Sequence, residues 1–271
     1  MTDADFDYVR RLVHERAAIV LDESKAYLVA ARLGPLARKE ADGSVAGLIQ
    51  RLRARPSAEL RDRVVEAMAT HETSFFREPA AFAALRREVL PRLVAARAPA
   101  RRLDVWSAGC ASGQEAYSLA IAVEQCFPIL PGWTIRVRGT DLSAALIERA
   151  RGGVYTQAEI ERGLAPELLP RYFEPVDSAW RVKEPIRRLT EFTPLNLVDD
   201  WSFVPPMDVV FMRNVLLYLD EPARRRILAR VRQFLRPDGC LFLGSAEAAI
   251  AALEPAFVPV QIGRGTHYRL A

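Results

Sequence analysis

The chain has 271 residues, of which half are hydrophobic and 27% charged, with 38 basic against 34 acidic side chains and a net charge of +4. That balance excludes a disordered or fibrous chain, and the size suits one large domain or two modest ones that need no disulfide or metal staple. Three scattered cysteines, Cys110, Cys126 and Cys240, form neither a disulfide framework nor a zinc pattern, the longest apolar run (Val209 to Leu219) is broken by Arg213 and Asn214, and the first residues are acidic; the expectation is a cytoplasmic protein without export signal or membrane span.

From Asp5 to about Ala69 the pattern predicts helix after helix, with breaks at Gly34-Pro35, Asp42-Gly43-Ser44 and Pro56-Ser57. Leu48, Ile49 and Leu52, then Val64, Val65 and Met68, recur at helical spacing, which leaves Arg51, Arg53, Arg55, Arg61 and Arg63 for the exposed faces. From Arg101 the texture changes. Leu103 to Trp106 reads as a strand, Ser107 to Gly113 as a small-residue loop, and Gln114 to about Phe127 as a helix. Thr134 to Thr140 is a second strand closed by Asp141; Ser143 caps the next helix and Gly152-Gly153 ends it.

Between Val154 and Glu191 the pattern fragments into pieces rich in Pro, Arg and aromatics, too long for an ordinary connection. Trp180 to Lys183 and Arg188 to Phe192 read as two short strands of a small inserted subdomain at about residues 154–193. Met207 to Met212 is a fully buried strand, Glu221 to Leu235 a helix, and Cys240 to Leu243 a strand entered through the turn Pro237-Asp238-Gly239. Phe257 to Ile262 and Thr266 to Leu270 close the chain as a hairpin. The sum is a helical domain over residues 1–75 and a doubly wound α/β domain over 76–271. Its terminal antiparallel hairpin favours a class I methyltransferase sheet over a dehydrogenase.

In the loop Ala108-Gly109-Cys110-Ala111-Ser112-Gly113, glycine lets the backbone approach a ligand closely, and the following helix offers its N-terminal N–H groups. Glu115, just inside that helix, repels a pyrophosphate but suits the ammonium of a methionine-like group. Asp141, at the end of the next strand, stands where ribose hydroxyls are accepted in related folds. The same two acids also serve as a first-turn complement to the helix dipole and as a helix cap. His71-Glu72-Thr73-Ser74-Phe75-Phe76-Arg77 lies at the seam of the two parts, where adjacent phenylalanines read as an anchor or as interdomain packing.

Taken together, His71 to Arg77, the run Val105 to Leu119, Thr140-Asp141, Leu195-Asn196-Leu197 and Arg213-Asn214-Val215-Leu216-Leu217-Tyr218 resemble, in order, the motifs of the CheR family of chemoreceptor glutamate methyltransferases. The resemblance implies S-adenosylmethionine as methyl donor, S-adenosylhomocysteine as product, no metal, and methyl-ester formation on glutamates in the cytoplasmic helical bundle of a methyl-accepting chemotaxis receptor. It places Thr73, Arg77, Glu115, Asp141, Asn196, Leu197, Arg213 and Asn214 around the donor, together with His71 and the loop residues Ala108 and Gly109. Asn196 and Leu197 meet the adenine, Asp141 the ribose and Glu115 the methionine portion, while Arg77 and Tyr218 lie nearest the transferred methyl.

The family's motif most often begins with Asn where this chain has His71. The turn Glu174 to Ala179 in the insert is short, which implies independence of a C-terminal pentapeptide tether; the family resemblance further implies a monomer whose basic N-terminal helices meet the receptor. Two other readings were open to the sequence. A nucleic-acid methyltransferase lacks support, because Val204-Pro205-Pro206-Met207 has no polar residue before the prolines and no aromatic after them. A non-enzymatic sensor of the donor would have lost pocket residues, and none is lost.

Overall fold

A computed structural model describes residues 1–55, 57–128 and 131–271. It divides by its contacts into Met1–Thr70 with Tyr218–Ala223, and His71–Leu217 with Arg224–Ala271.

Among the described residues the first unit holds four α-helices: α1 (Asp3–Ala17), α2 (Ala26–Glu40), α3 (Val45–Ala54) and α4 (Ala58–Met68). Thr2 and Asp5 close a reciprocal capping box at the start of α1, and Ser44 and Ser57 accept backbone N–H groups at the starts of α3 and α4. The break expected at Gly34-Pro35 is absent, and α2 runs through it. Its fully buried stripe Val29, Leu33 and Ala37 spans the proline, and Gly34 has no Cβ to meet the ring, so packing outweighs a cost of about 3 kcal/mol. Of the Pro56-Ser57 break, Pro56 lies outside the described residues.

The arginines of this unit are less uniform than their spacing suggested. Arg51, Arg53 and Arg55 are exposed, but Arg61 and Arg63 are half-buried. Arg63 pairs with Glu40, and Arg53 lies 3.3 Å from Asp5 and over the Tyr8 ring.

Among the described residues the second unit is built on ten strands: β1 (Arg102–Ala108), β2 (Thr134–Asp141), β3 (Val154–Thr156), β4 (Phe173–Val176), β5 (Ala179–Val182), β6 (Thr190–Pro194), β7 (Met207–Met212), β8 (Leu235–Leu243), β9 (Phe257–Ile262) and β10 (Gly265–Leu270). Seven form one sheet in the order β6, β2, β1, β7, β8, β10, β9. The first five of these are parallel, and β10 runs antiparallel to both neighbours. Strands β1 and β7 are buried along nearly their whole length because helices cover both faces, the rule for parallel sheets. The covering helices include α5 (Pro79–Ala84) and α6 (Leu90–Arg97), joined by a π turn, α7 (Gln114–Cys126), α8 (Ala144–Gly152) and α12 (Glu221–Phe234). Phe82, Phe211, Phe242 and His267 form a chain of ring contacts through the core.

The insert is a three-stranded antiparallel sheet ordered β3, β5, β4, with the short helices α9 (Gln157–Glu161), α10 (Leu169–Tyr172) and α11 (Glu184–Arg187). It is smaller than the sequence pattern implied. The segment expected as its last strand is β6, which joins the main sheet beside β2, because Phe192 must be buried over Gly139 and Tyr117. The turn expected at Pro237-Asp238-Gly239 is absorbed into β8 as an irregularity, with Met207 opposite Leu235 but Val209 opposite Cys240. The boundary expected after residue 75 falls after residue 70 instead. Phe75 is buried against Tyr155 and Phe173, and the Phe76 N–H donates to Ser118 Oγ at 2.9 Å, so the His71–Arg77 segment belongs to the α/β unit. No helix among the described residues is long and apolar enough to cross a membrane.

Candidate active site

Open α/β sheets bind ligands at the carboxyl ends of their parallel strands. Here those ends deliver Ala108 from β1, Asp141 from β2, Asn196 and Leu197 just after β6, and Arg213 and Asn214 just after β7. The loop after β1 is drawn tight by the Gly109 and Cys110 N–H groups, both donating to the Thr140 carbonyl at 2.7 and 2.9 Å. Gly109 has φ +77°, and a Cβ on it would sit 2.4 Å from Val215 Cγ2, so this position admits no other residue without displacement. Gly113, at φ +94°, is held in the same way against Ala150, where a Cβ would come to 2.8 Å.

Asp141 frames the loop from the other side. Its Oδ2 accepts the Ala111 N–H at 2.8 Å and its Oδ1 accepts the Ser143 N–H at 3.0 Å. Each carboxylate oxygen keeps a further lone pair for a ligand. His71 Nε2 stands 3.9 Å from Asp141 Oδ1, a neighbour that sequence spacing did not reveal. Burial pushes the Cys110 thiol well above its ordinary range, with Asp141 and Glu115 adding to the effect, so Cys110 is a packing residue and not a nucleophile.

Glu115 lies in the first turn of α7, 9% exposed. Its oxygens already hold protein donors: Ser107 Oγ at 2.8 Å on one and Arg213 Nη1 at 3.0 Å on the other. Burial raises its carboxyl above the usual range, with Arg213 and Ser107 opposing. The Arg213 side chain is fully buried. Its second nitrogen, Nη2, donates to the Arg77 carbonyl at 2.7 Å and lies 3.3 Å from Glu78 Oε2, and its guanidinium carbon sits 5.8 and 5.7 Å from the Phe82 and Phe211 ring centres. One cation therefore ties together the segments carrying Arg77, Glu115 and Arg213.

Arg77 is itself flanked by two left-handed residues, Phe76 at φ +47° and Glu78 at φ +54°. Such conformations cost of order 1–3 kcal/mol each and persist where the surroundings enforce them. The Arg77 Nη1 donates to the Glu72 carbonyl at 2.9 Å, so the side chain folds back over its own segment. Asn214 is also left-handed, at φ +59°, and its Oδ1 is buried with no hydrogen-bond partner among the described residues.

Residues 71–262 match the family described as CheR methyltransferase, SAM binding domain, and residues 4–69 match its all-alpha domain. The chain belongs to the CheR methyltransferase family. Chemotaxis protein methyltransferase 1 of Pseudomonas aeruginosa is 39% identical over 271 residues, spanning 98% of each chain. Chemotaxis protein methyltransferase Cher2 of Pseudomonas putida is 37% identical over 269 residues, spanning 98% of this chain and 97% of that one. The chemotaxis protein methyltransferase of Salmonella typhimurium is 32% identical over 253 residues, spanning 91% and 84% respectively. Membership makes the chain a methyltransferase that uses S-adenosylmethionine.

The cradle has the chemistry that this donor requires. Asp141 has acceptor capacity to spare, the Asn214 Oδ1 is an unmatched acceptor, and Gly109 allows close backbone approach. Of the residues singled out from the sequence, His71, Thr73, Arg77, Ala108, Gly109, Glu115, Asp141, Asn196, Leu197, Arg213 and Asn214 all lie in the α/β unit. Tyr218 does not. It ends the 3-10 turn Leu216–Tyr218 and groups with the helical unit, where its carbonyl accepts the Val20 N–H at 2.9 Å. Glu78, Ser107 and Glu247 escaped the sequence reading. Glu247 acts on residues far along the chain and stands in no motif; Ser107 lies inside the Val105–Leu119 motif and Glu78 beside Arg77, the signals that sequence offered for these two.

Proposed function

We propose that the protein transfers methyl groups from S-adenosylmethionine to glutamate side chains in the cytoplasmic helical bundle of a chemoreceptor, forming glutamyl methyl esters. The observation that carries the reading is the pairing of a buried first-turn acid, Glu115, with Asp141 around a glycine loop. That acidic cradle repels a dinucleotide's phosphates and suits an amino-acid nucleoside. The names of the relatives, chemotaxis protein methyltransferases, support a role in chemotaxis, and the receptor is the substrate that the family resemblance implies.

When bound, S-adenosylmethionine supplies an electrophilic methyl carbon on a sulfonium. Asp141 would hold the ribose hydroxyls, Asn196 and Leu197 the adenine, and Glu115 with Arg213 the amino-acid end. A substrate glutamate, with an ordinary pKa of about 4.3, is ionised at neutral pH and needs no general base or Lewis acid. The protein's task is orientation and exclusion of water, an effect worth on the order of 7–11 kcal/mol. Arg77 and Tyr218 take the positioning roles in this reading. A tight ion pair from Arg77 would blunt the incoming carboxylate, so the guanidinium orients it without neutralising it.

The reading extends to partners. Arg51 and Arg55, exposed on the helical unit, attract the acidic receptor surface and speed encounter. The β4–β5 hairpin turns through Asp177-Ser178 with Asp177 at φ +49°, and so short a turn supports an enzyme that works without a C-terminal pentapeptide tether; the family resemblance supports a monomer. Receptor incubated with methyl-labelled donor and the enzyme should release labelled methanol on mild base treatment. Label that is stable to base, or carried on nucleic acid, would overturn the assignment. A pentapeptide tail that binds at micromolar concentration would overturn the tether-free reading alone.

A further inference from the structure

The turn after β8, Gly244-Ser245-Ala246-Glu247, carries no recognised motif, yet its acid is fully buried. Glu247 Oε1 accepts the N–H groups of Val215 and Leu217 at 2.9 and 3.2 Å, and its Oε2 accepts those of Asn214 and Gly244 at 2.8 Å each. A buried carboxylate is costly unless it is satisfied, and four backbone donors satisfy this one. Three of the four belong to the loop that follows Arg213. The same turn reaches the other side of the cradle, where the Ser245 N–H donates to Glu78 Oε2 at 3.0 Å, the oxygen that lies 3.3 Å from Arg213 Nη2. The approach is close enough to exclude a side chain at Gly244: a Cβ there would come to 2.7 Å from Asn214 Nδ2 and 3.0 Å from the Asn214 backbone nitrogen.

We infer that Glu247 is a positioning residue for the methyl donor: it templates the loop Asn214–Leu217, fixes Asn214 in its left-handed conformation, and so presents Arg213 and Asn214 to the donor together. The inference rests on the reading that Arg213 and Asn214 line the donor site. The carboxylate acts as a negative template. Its four lone-pair directions take the N–H groups of a loop that has no regular partner, while Arg213, just before that loop, is tied to Glu78 and Glu115. Glu247→Gln places an amide N–H₂ where one oxygen accepts two N–H groups, so two donors lose their acceptor whichever way the amide turns.

The probe is S-adenosylhomocysteine, titrated by calorimetry into the full chain. Glu247→Gln should bind it at least tenfold more weakly, and the KM for S-adenosylmethionine should rise by a similar factor while kcat at saturating donor stays within threefold. Amide hydrogen exchange should speed up at Asn214, Val215 and Leu217 with the rest of the sheet unchanged. Gly244→Ala, whose Cβ would crowd both Asn214 and Glu247 Oε2 (2.9 Å), should reproduce the loss of affinity. A folded Glu247→Gln protein with affinity within twofold of wild type overturns the inference. Should neither variant fold, the wild type decides: S-adenosylhomocysteine must slow exchange at Gly244 together with Asn214, Val215 and Leu217, and an unchanged Gly244 amide sinks the idea. If Arg213→Lys and Asn214→Ala leave affinity untouched, the donor-site reading itself has failed, a separate and distinguishable result.

Discussion

Replacing Arg213 by methionine tests the electrostatic keystone of the site. The guanidinium is fully buried and satisfies Glu115, Glu78 and the Arg77 carbonyl at once. Methionine keeps much of the packing between Phe82 and Phe211 but strands the Glu115 carboxylate, which has only Ser107 left as donor. Breaking a buried pair from one side costs about 3–5 kcal/mol, because the partner charge stays behind. The sign with pH follows. Burial already raises the Glu115 carboxyl, and loss of Arg213 removes the chief opposing influence, so the folded form holds its proton to higher pH. The protonated acid is tolerated at low pH, and stability falls as pH rises from the ordinary glutamate range through the raised folded value. Urea unfolding at pH 5 and pH 8 should therefore show a deficit in the variant that widens with pH. The double change Arg213→Met with Glu115→Gln should recover most of the stability, but not donor binding. A single variant within about 1 kcal/mol of wild type at pH 8, or a double variant no more stable than the single, would refute the reasoning.

Gly109→Ala meets both a left-handed φ and the Val215 methyl, and should weaken S-adenosylhomocysteine binding by at least tenfold; adding Val215→Ala relieves the contact but not the backbone, so calorimetry should show only partial recovery. Burial pushes the His267 imidazole down to about 4, with Arg269 and Arg92 adding to the effect. Its neutral form then contributes stability that is lost as pH falls from about 6.5 towards 4, roughly 3 kcal/mol in all, and His267→Phe should flatten that limb of the stability curve relative to wild type. Arg77→Ala and Tyr218→Phe should lower turnover more than donor affinity in steady-state assays; loss of binding with normal turnover at saturation would reverse their assigned roles.

Much of the architecture was legible in the order of residues. Buried parallel strands such as Met207–Met212 are apolar but for one residue, Asp208, and the glycine loop before Gln114 and the acid ending β2 mark a ligand-binding α/β unit whatever the rest of the chain does. Motif order alone singled out the candidate residues from His71 to Asn214, of which Ala108, Asp141, Asn196, Leu197, Arg213 and Asn214 stand at or just after the ends of parallel strands. What spacing could not reveal were effects set between distant segments. Thr190–Pro194 is polar enough to suit an insert hairpin, and only the groove above Gly139 and Tyr117 draws Phe192 into the main sheet. Pro35 breaks a helix by local rule, and only the stripe Val29, Leu33 and Ala37 keeps α2 continuous.

The sequence by itself marked out the side chains proposed to meet a charged nucleoside and the strand ends on which several of them stand. Tertiary structure alone decided how those side chains are held. Arg213 satisfies Glu115 across 98 positions, and Glu247 collects the backbone of a loop some thirty residues before it. The physical reason is that hydrogen-bond donors and burial are properties of surroundings. A carboxylate among backbone N–H groups and a carboxylate in water have the same letter in the sequence, and only the folded chain tells them apart.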